Sequence, residues 1–432
     1  GLWRSITVKR IQTAALAVLL AMPVFASEPD PGTLMQGFPP AKVQQVTREN
    51  FMLPPYNRWA FQRIRELQPT REVYRGSGSV AALEESPVDL ADRVYSVSAD
   101  RSVNLDQWLE ESATDSFLVM HKGKLVYERY LNGQQVQTQH QMFSATKSFI
   151  GTLVLMLIEE GRIDPARTMA SYIPELKRSS FGDATVQQVL DMTTSIQFSE
   201  EYTNPNADIW AYGYVFGLSD VEDKSRRMSS IYNYLPTLGK MKKYGHGDAF
   251  HYVTPNTDAL GWLLSRVTGE SISALFSNRF WQPMGMERDA YLWLDRSGRE
   301  MAGGGLNMTA RDAVRFGQMI LQGGEYNGVQ VVSSELAQRI LTPGNPETFN
   351  RFYNDPWYTE VGHSYHDQWW SFKNAHQGVS AIGVHGQFIY IDPVAHMIVV
   401  KQSSHPEAEG TSNDVDGPLI WQAIAERLMQ DK

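Results

Sequence analysis

Met142-Phe143-Ser144-Ala145-Thr146-Lys147-Ser148-Phe149-Ile150-Gly151, followed by Thr152-Leu153-Val154-Leu155-Met156-Leu157-Ile158-Glu159-Glu160-Gly161, decides how the rest of the chain is read. The stretch is apolar on nearly every side, which predicts a helix buried in a core. Gly161 is a natural C-cap, and Pro165 prevents the helix from resuming early. Residues three apart share one face of a helix, so the Lys147 amine lies beside the Ser144 hydroxyl. A serine is a poor nucleophile until a neighbour takes its proton. A lysine at the edge of an apolar region loses hydration, which favours the neutral, basic amine. Ser144 also stands at the positive end of the helix, where free backbone N–H groups can receive an oxyanion. An ordinary serine cap beside an extended lysine fits the same stretch, so the surrounding sequence has to decide.

Upstream, Phe117-Leu118-Val119-Met120-His121, a Lys122-Gly123 turn and Leu125-Val126-Tyr127-Glu128-Arg129-Tyr130 predict a β-hairpin. Downstream, residues 165–330 are mostly helical by pattern and form a lobe. Gln387-Phe388-Ile389-Tyr390-Ile391 and Met397-Ile398-Val399-Val400 predict two antiparallel strands around Asp392-Pro393, and Leu419 to Met429 an amphipathic closing helix. The order predicts an α+β fold, an α/β sandwich whose antiparallel sheet is flanked by helices and joined to the helical lobe. A cleft between the two is the natural site. Residues 27–105, proline- and charge-containing with weak periodicity, read as an N-terminal extension wrapping the unit at 106–430. Its Pro54-Pro55-Tyr56-Asn57-Arg58-Trp59 reads as a packing segment or a substrate-side loop.

Two more segments carry chemistry. Phe250-His251-Tyr252-Val253-Thr254-Pro255-Asn256 precedes a helix, and a tyrosine near a lysine ammonium can shuttle a proton. Gly383-Val384-His385-Gly386-Gln387 opens a strand whose edge N–H, assigned to Gln387, can join that of Ser144 as an oxyanion donor. Ser144-Ala145-Thr146-Lys147, Tyr252-Val253-Thr254 and Val384-His385-Gly386, in this order, resemble the three motifs of the serine β-lactamase and penicillin-recognising superfamily. The chain is most similar to its class C-related branch, which contains the 6-aminohexanoate-dimer hydrolases and related esterases. Leu190-Asp191-Met192-Thr193-Thr194-Ser195, Phe198-Ser199-Glu200-Glu201-Tyr202 and Gly303-Gly304-Gly305-Leu306-Asn307-Met308-Thr309-Ala310-Arg311-Asp312 add to the likeness, which spans roughly residues 105 to 430.

The resemblance implies a β-lactamase/transpeptidase-like fold and acyl transfer through a covalent acyl-enzyme. Ser144 attacks a carbonyl. Lys147 and Tyr252 take the proton and return it to the leaving amine or alkoxide, and water completes hydrolysis. The resemblance also places Tyr202, Asn307, His385 and Gly386 on the substrate side. Two departures matter. Thr254 stands where the second motif has Asn or Ser, and Val384 where the third has a cation that commonly binds a substrate carboxylate. A small ester or amide substrate is therefore expected. A β-lactamase or D-Ala-D-Ala peptidase, and a non-catalytic binding protein on the same scaffold, are the alternatives.

Composition narrows the rest. The 432 residues include no cysteine, so disulfides and a cysteine nucleophile are excluded. A net charge of −9 argues against nucleic acid as a partner. Lys9 and Arg10, the apolar run Thr13 to Met22, and Val24-Phe25-Ala26 predict an export signal over residues 1–26, cleaved before Ser27. Periplasmic location follows, with no membrane attachment after cleavage; oligomeric state is open. No cofactor and no metal are expected: His363 and His366 read as a surface or cleft-lining loop, with Tyr365, Trp369 and Trp370 as walls of the cleft, and Gly303-Gly304-Gly305 lacks the Lys and Ser/Thr of a phosphate loop.

Overall fold

The computed structural model describes residues 28–91, 93–199 and 204–431. The segment read as an export signal lies outside the described residues. In chain order the strands are β1 (Thr70–Val73), the hairpin β2 (Val94–Ser98) and β3 (Arg101–Asn104), then β4 (Thr114–His121), β5 (Lys124–Tyr130) and β6 (His140–Gln141). After the lobe come β7 (Ala290–Trp293), β8 (Leu306–Met308), and the short pair β9 (Glu325–Tyr326) and β10 (Val329–Gln330). The last five are β11 (Gly362–His366), β12 (Trp369–Phe372), β13 (Val379–Gly383), β14 (Gln387–Asp392) and β15 (Met397–Ser403).

Seven strands form the main sheet in the order β11-β12-β13-β14-β15-β4-β5, every neighbour antiparallel. The predicted hairpins are present. Lys122 and Gly123 both take positive φ, +50° and +79°, as a two-residue turn between twisted strands requires. Side chains alternate across β14. Phe388 and Tyr390 meet Trp421 of the closing helix Asp416–Gln430 at ring distances of 4.6 and 5.0 Å. Ile389, between them, points to the other face, where it meets Gly317 of the helix Ala310–Leu321. Helices therefore cover both faces, which is why the central strands read as continuous apolar runs.

The pattern-based lobe of 165–330 is reorganised at its far end. Ala310–Leu321 packs on the main sheet, and β7 and β8 join a second sheet of order β1-β7-β8-β6. The amphipathic pattern of that helix identifies a helix without saying which partner it faces.

The central helix runs Thr146–Glu159, with every residue from Thr146 to Leu157 buried. Gly161 ends it at φ +74°. The turn between β11 and β12 lies across it: a Cβ on Gly151 would stand 2.2 Å from the Asp367 carbonyl oxygen. Ser148 Oγ donates to the Gln368 carbonyl at 2.7 Å, which fixes the same contact. Gly151→Ala is expected to destabilise the protein by about 1–3 kcal/mol, read as a lower thermal midpoint, because two backbones must separate.

The N-terminal extension is built into the fold. It supplies β1 to the second sheet, and Phe51 packs on Trp293 at 5.7 Å. Its Arg58 reaches the buried Asp115, which also accepts from Asn132 at 2.9 Å, Ser404 at 3.0 Å and faces His140 Nε2 at 2.8 Å. Asn57 donates to the Ser404 and His405 carbonyls, so the Pro54–Trp59 segment packs.

Candidate active site

Ser144 lies on a 3₁₀ turn, Phe143–Ala145, immediately before the central helix. Phe143 is held at φ +49°, a conformation non-glycine residues rarely adopt and one that persists only where surroundings enforce it. The enforcing contacts are visible. Thr146 Oγ1 donates to the Phe143 carbonyl at 2.6 Å and accepts from Leu306 N at 3.0 Å. Phe61 of the extension presses edge-on against the Phe143 ring at 4.8 Å.

Lys147 Nζ donates to Ser144 Oγ at 2.9 Å and to the Gly303 carbonyl at 2.5 Å. Both side chains are buried. Burial pushes the Lys147 amine down to about 7, partly opposed by the negative charge of Asp258. The amine is thus a competent base near neutral pH. Tyr252 presents its ring face 5.1 Å from the same nitrogen. That ring stacks on Trp370 at 5.4 Å and meets Tyr365 edge-on at 6.1 Å. Trp369, expected beside them, points to the opposite side and donates to Thr152 in the core.

Behind the amine lies a carboxylate that none of the three motifs includes. Asp258, on the helix Pro255–Thr268, accepts from Tyr212 at 2.7 Å and from the Gly303 N–H at 3.3 Å. Only glycine fits at 303: a Cβ would come within 2.6 Å of Thr254 Cγ2 and 3.2 Å of the Tyr212 hydroxyl. The available signal was one aspartate inside the apolar run leading to Leu263 and Leu264.

The other predicted residues distribute as follows. Tyr202 lies outside the described residues. Asn307 sits on β8, fully buried, and donates to the Gly305 carbonyl at 3.1 Å, bracing the glycine run. His385 is also buried. Its Nδ1 bonds the His405 carbonyl at 2.6 Å, and its ring is wedged against Phe61 at 5.1 Å and Phe143 at 5.7 Å. Burial pushes His385 down to about 4, so it is neutral at physiological pH. Gly386, at φ +92°, makes room for Asn413, which a Cβ would meet at 2.8 Å. Gln387 stands on β14, and its side-chain amide donates to the Val384 and Ser403 carbonyls. The strand end against the Ser144 turn is that of β13, where a Cβ on Gly383 would lie 2.2 Å from the Met142 carbonyl. His366 uses both ring nitrogens, on Asp367 and the Thr342 carbonyl. Among the described residues no group of three or more His, Asp or Glu is placed to hold a metal ion.

The β-lactamase family profile matches residues 105–419, a span that includes the Ser144 turn, Lys147 and the sheet edge across from them. The chain belongs to the β-lactamase family. Within it, the 6-aminohexanoate-dimer hydrolase of Paenarthrobacter ureafaciens is 36% identical over 374 residues, 86% of this chain and 91% of that protein. A solved Bacillus anthracis structure, provisionally described as a 6-aminohexanoate-dimer hydrolase, superposes with a TM-score of 0.80 at 33% identity. It covers 89% of this chain and 97% of the other. An octameric penicillin-binding protein homologue from Pyrococcus abyssi, 18% identical at a TM-score of 0.57, shares the fold. As a member of this family the protein is a serine hydrolase of amidase/esterase type, and its fold is α+β with an antiparallel sheet as expected.

Proposed function

We propose that this β-lactamase-family enzyme hydrolyses short, linear amide or ester substrates of the 6-aminohexanoate-oligomer type through an acyl-enzyme on Ser144. The hydrogen bond from a buried, weakly basic Lys147 to Ser144 carries the reading. Lys147 takes the serine proton as Oγ attacks the carbonyl carbon. The Ser144 N–H and an N–H at the β13 end receive the oxyanion, in preference to that of Gln387, because β13 is the strand end touching the turn. The Tyr252 hydroxyl passes the proton to the leaving amine or alkoxide, and a water then releases the acid by the reverse route. Tyr202 is the residue we assign to the leaving amine.

The substrate class follows from charge. Val384 occupies the place of the family cation, and the neighbouring His385 is neutral at physiological pH. Neither side chain offers a substrate carboxylate a fixed cation, which disfavours β-lactams and peptidoglycan stems. The test is intact mass and turnover after exposure to a fluorophosphonate, a short p-nitrophenyl ester, the 6-aminohexanoate linear dimer and a penicillin. Ser144-dependent labelling and hydrolysis of the ester and dimer are expected. Rapid penicillin turnover, with the dimer untouched, would overturn the assignment.

The pH dependence has a defined sign. The active base is the neutral amine, so kcat/KM rises as pH increases through about 7 and then levels. A rate already level at about pH 5 would show that Lys147 is not the titrating base. We also infer export, from the basic and apolar pattern of residues 1–26. Among the described residues no helix is long and apolar enough to cross a membrane. N-terminal sequencing of the protein recovered from its producing cell should begin at Ser27.

A further inference from the structure

Asp258 is a carboxylate with no part in the bond-making steps, yet it is sealed directly behind them. One oxygen accepts from Tyr212 at 2.7 Å and the other from the Gly303 N–H at 3.3 Å. The carbonyl of that same glycine accepts from Lys147 Nζ. Gly303 is therefore gripped on its two polar sides, by Asp258 and by the catalytic amine, with no room for a side chain. A cavity of about 380 Å³, lined by Gly261, Ser265, Arg299, Glu300 and Ala302, reaches Asp258 but neither Ser144 nor Lys147. Asp258 thus borders a cavity separate from the nucleophile.

We propose that Asp258 is a positioning residue for hydrolysis, locking Gly303 against Lys147 and controlling from behind how readily the amine gives up its proton. The groups facing it are Lys147 from the central helix, Tyr212 and Tyr234 from two lobe helices, and Asp295 after β7. Lys147 is the one cation among them. Burial drives the Lys147 amine and the Asp258 carboxyl towards each other, both to about 7. The ionised carboxylate favours the ammonium, so removing it leaves burial unopposed and the amine neutral at lower pH.

The inference rests on the assignment of Lys147 as the base. The experiment records kcat/KM against pH, from about 5 to 9, for ester hydrolysis by the full protein and by Asp258→Asn and Tyr212→Phe. Asp258→Asn is expected to move the acid limb down by about one pH unit and to lower the plateau severalfold, a weaker base being slower. Tyr212→Phe removes a donor that favours the carboxylate, so it should move the limb the same way by less. A merely structural role lowers the plateau and leaves the limb in place; that result, in either variant that folds, overturns the proposal. If Asp258→Asn does not fold, Tyr212→Phe decides alone. Failure of the underlying function is separately visible, because Ser144→Ala would then retain turnover.

Discussion

Lys147→Met lowers kcat/KM by about 10³–10⁴-fold while the protein stays folded. Methionine is unbranched and of similar length, so it can follow the path of the lysine stem through a site that is already buried. What disappears is the nitrogen 2.9 Å from Ser144 Oγ and its bond to the Gly303 carbonyl. Ser144 then attacks without a base, and the Tyr252 ring loses the amine that sits 5.1 Å from its face. Because burial already disfavours the charged amine, the thermal midpoint should hold or rise. Steady-state ester hydrolysis, fluorophosphonate labelling rate and a thermal melt together check the result. A loss below tenfold would transfer the base role to Tyr252.

Asp115→Ala is expected to remove about 3–5 kcal/mol of stability, read as a lower urea midpoint with labelling of Ser144 retained in the folded fraction. Asp115 is buried, and its two oxygens gather donors from separate parts of the chain: Arg58, Asn132, His140 and Ser404. Truncation takes a shared acceptor from all of them at once in a region water reaches poorly. Such groups cost more unpaired than they contribute paired. Asp115→Asn, which keeps one acceptor oxygen, should fall between. A midpoint unchanged by the alanine variant would show that the donors find other partners.

The parts of this protein that could be read from sequence are those whose cause is local. Lys122-Gly123 names its turn because only certain residues accept positive φ twice in succession. Ser144 and Lys147 name each other because helix geometry fixes a three-residue spacing. Asp258 and Gly303 escaped because each acts only through the other, across a helix and a loop that no periodicity relates. The resemblance puts His385 and Gly386 on the substrate side, because motif order carries no information about what packs against a motif. What packs there is the protein itself: Asn413 and the rings of Phe61 and Phe143. Asn307 likewise looked polar and available, yet it faces the glycine run.

The stretch recognised as belonging to the family begins at residue 105, whereas Phe61, one support of the strained turn at Phe143, comes earlier in the chain. The 6-aminohexanoate-dimer hydrolase relative, matched over 86% of this chain, reaches back into that earlier segment, so the edge of the profile is not the edge of the working unit. A recombination event or a chimera cut at residue 105 would carry every motif of the catalyst and leave behind part of its floor. The nucleophile turn is braced from a part of the chain that carries none of the catalytic motifs.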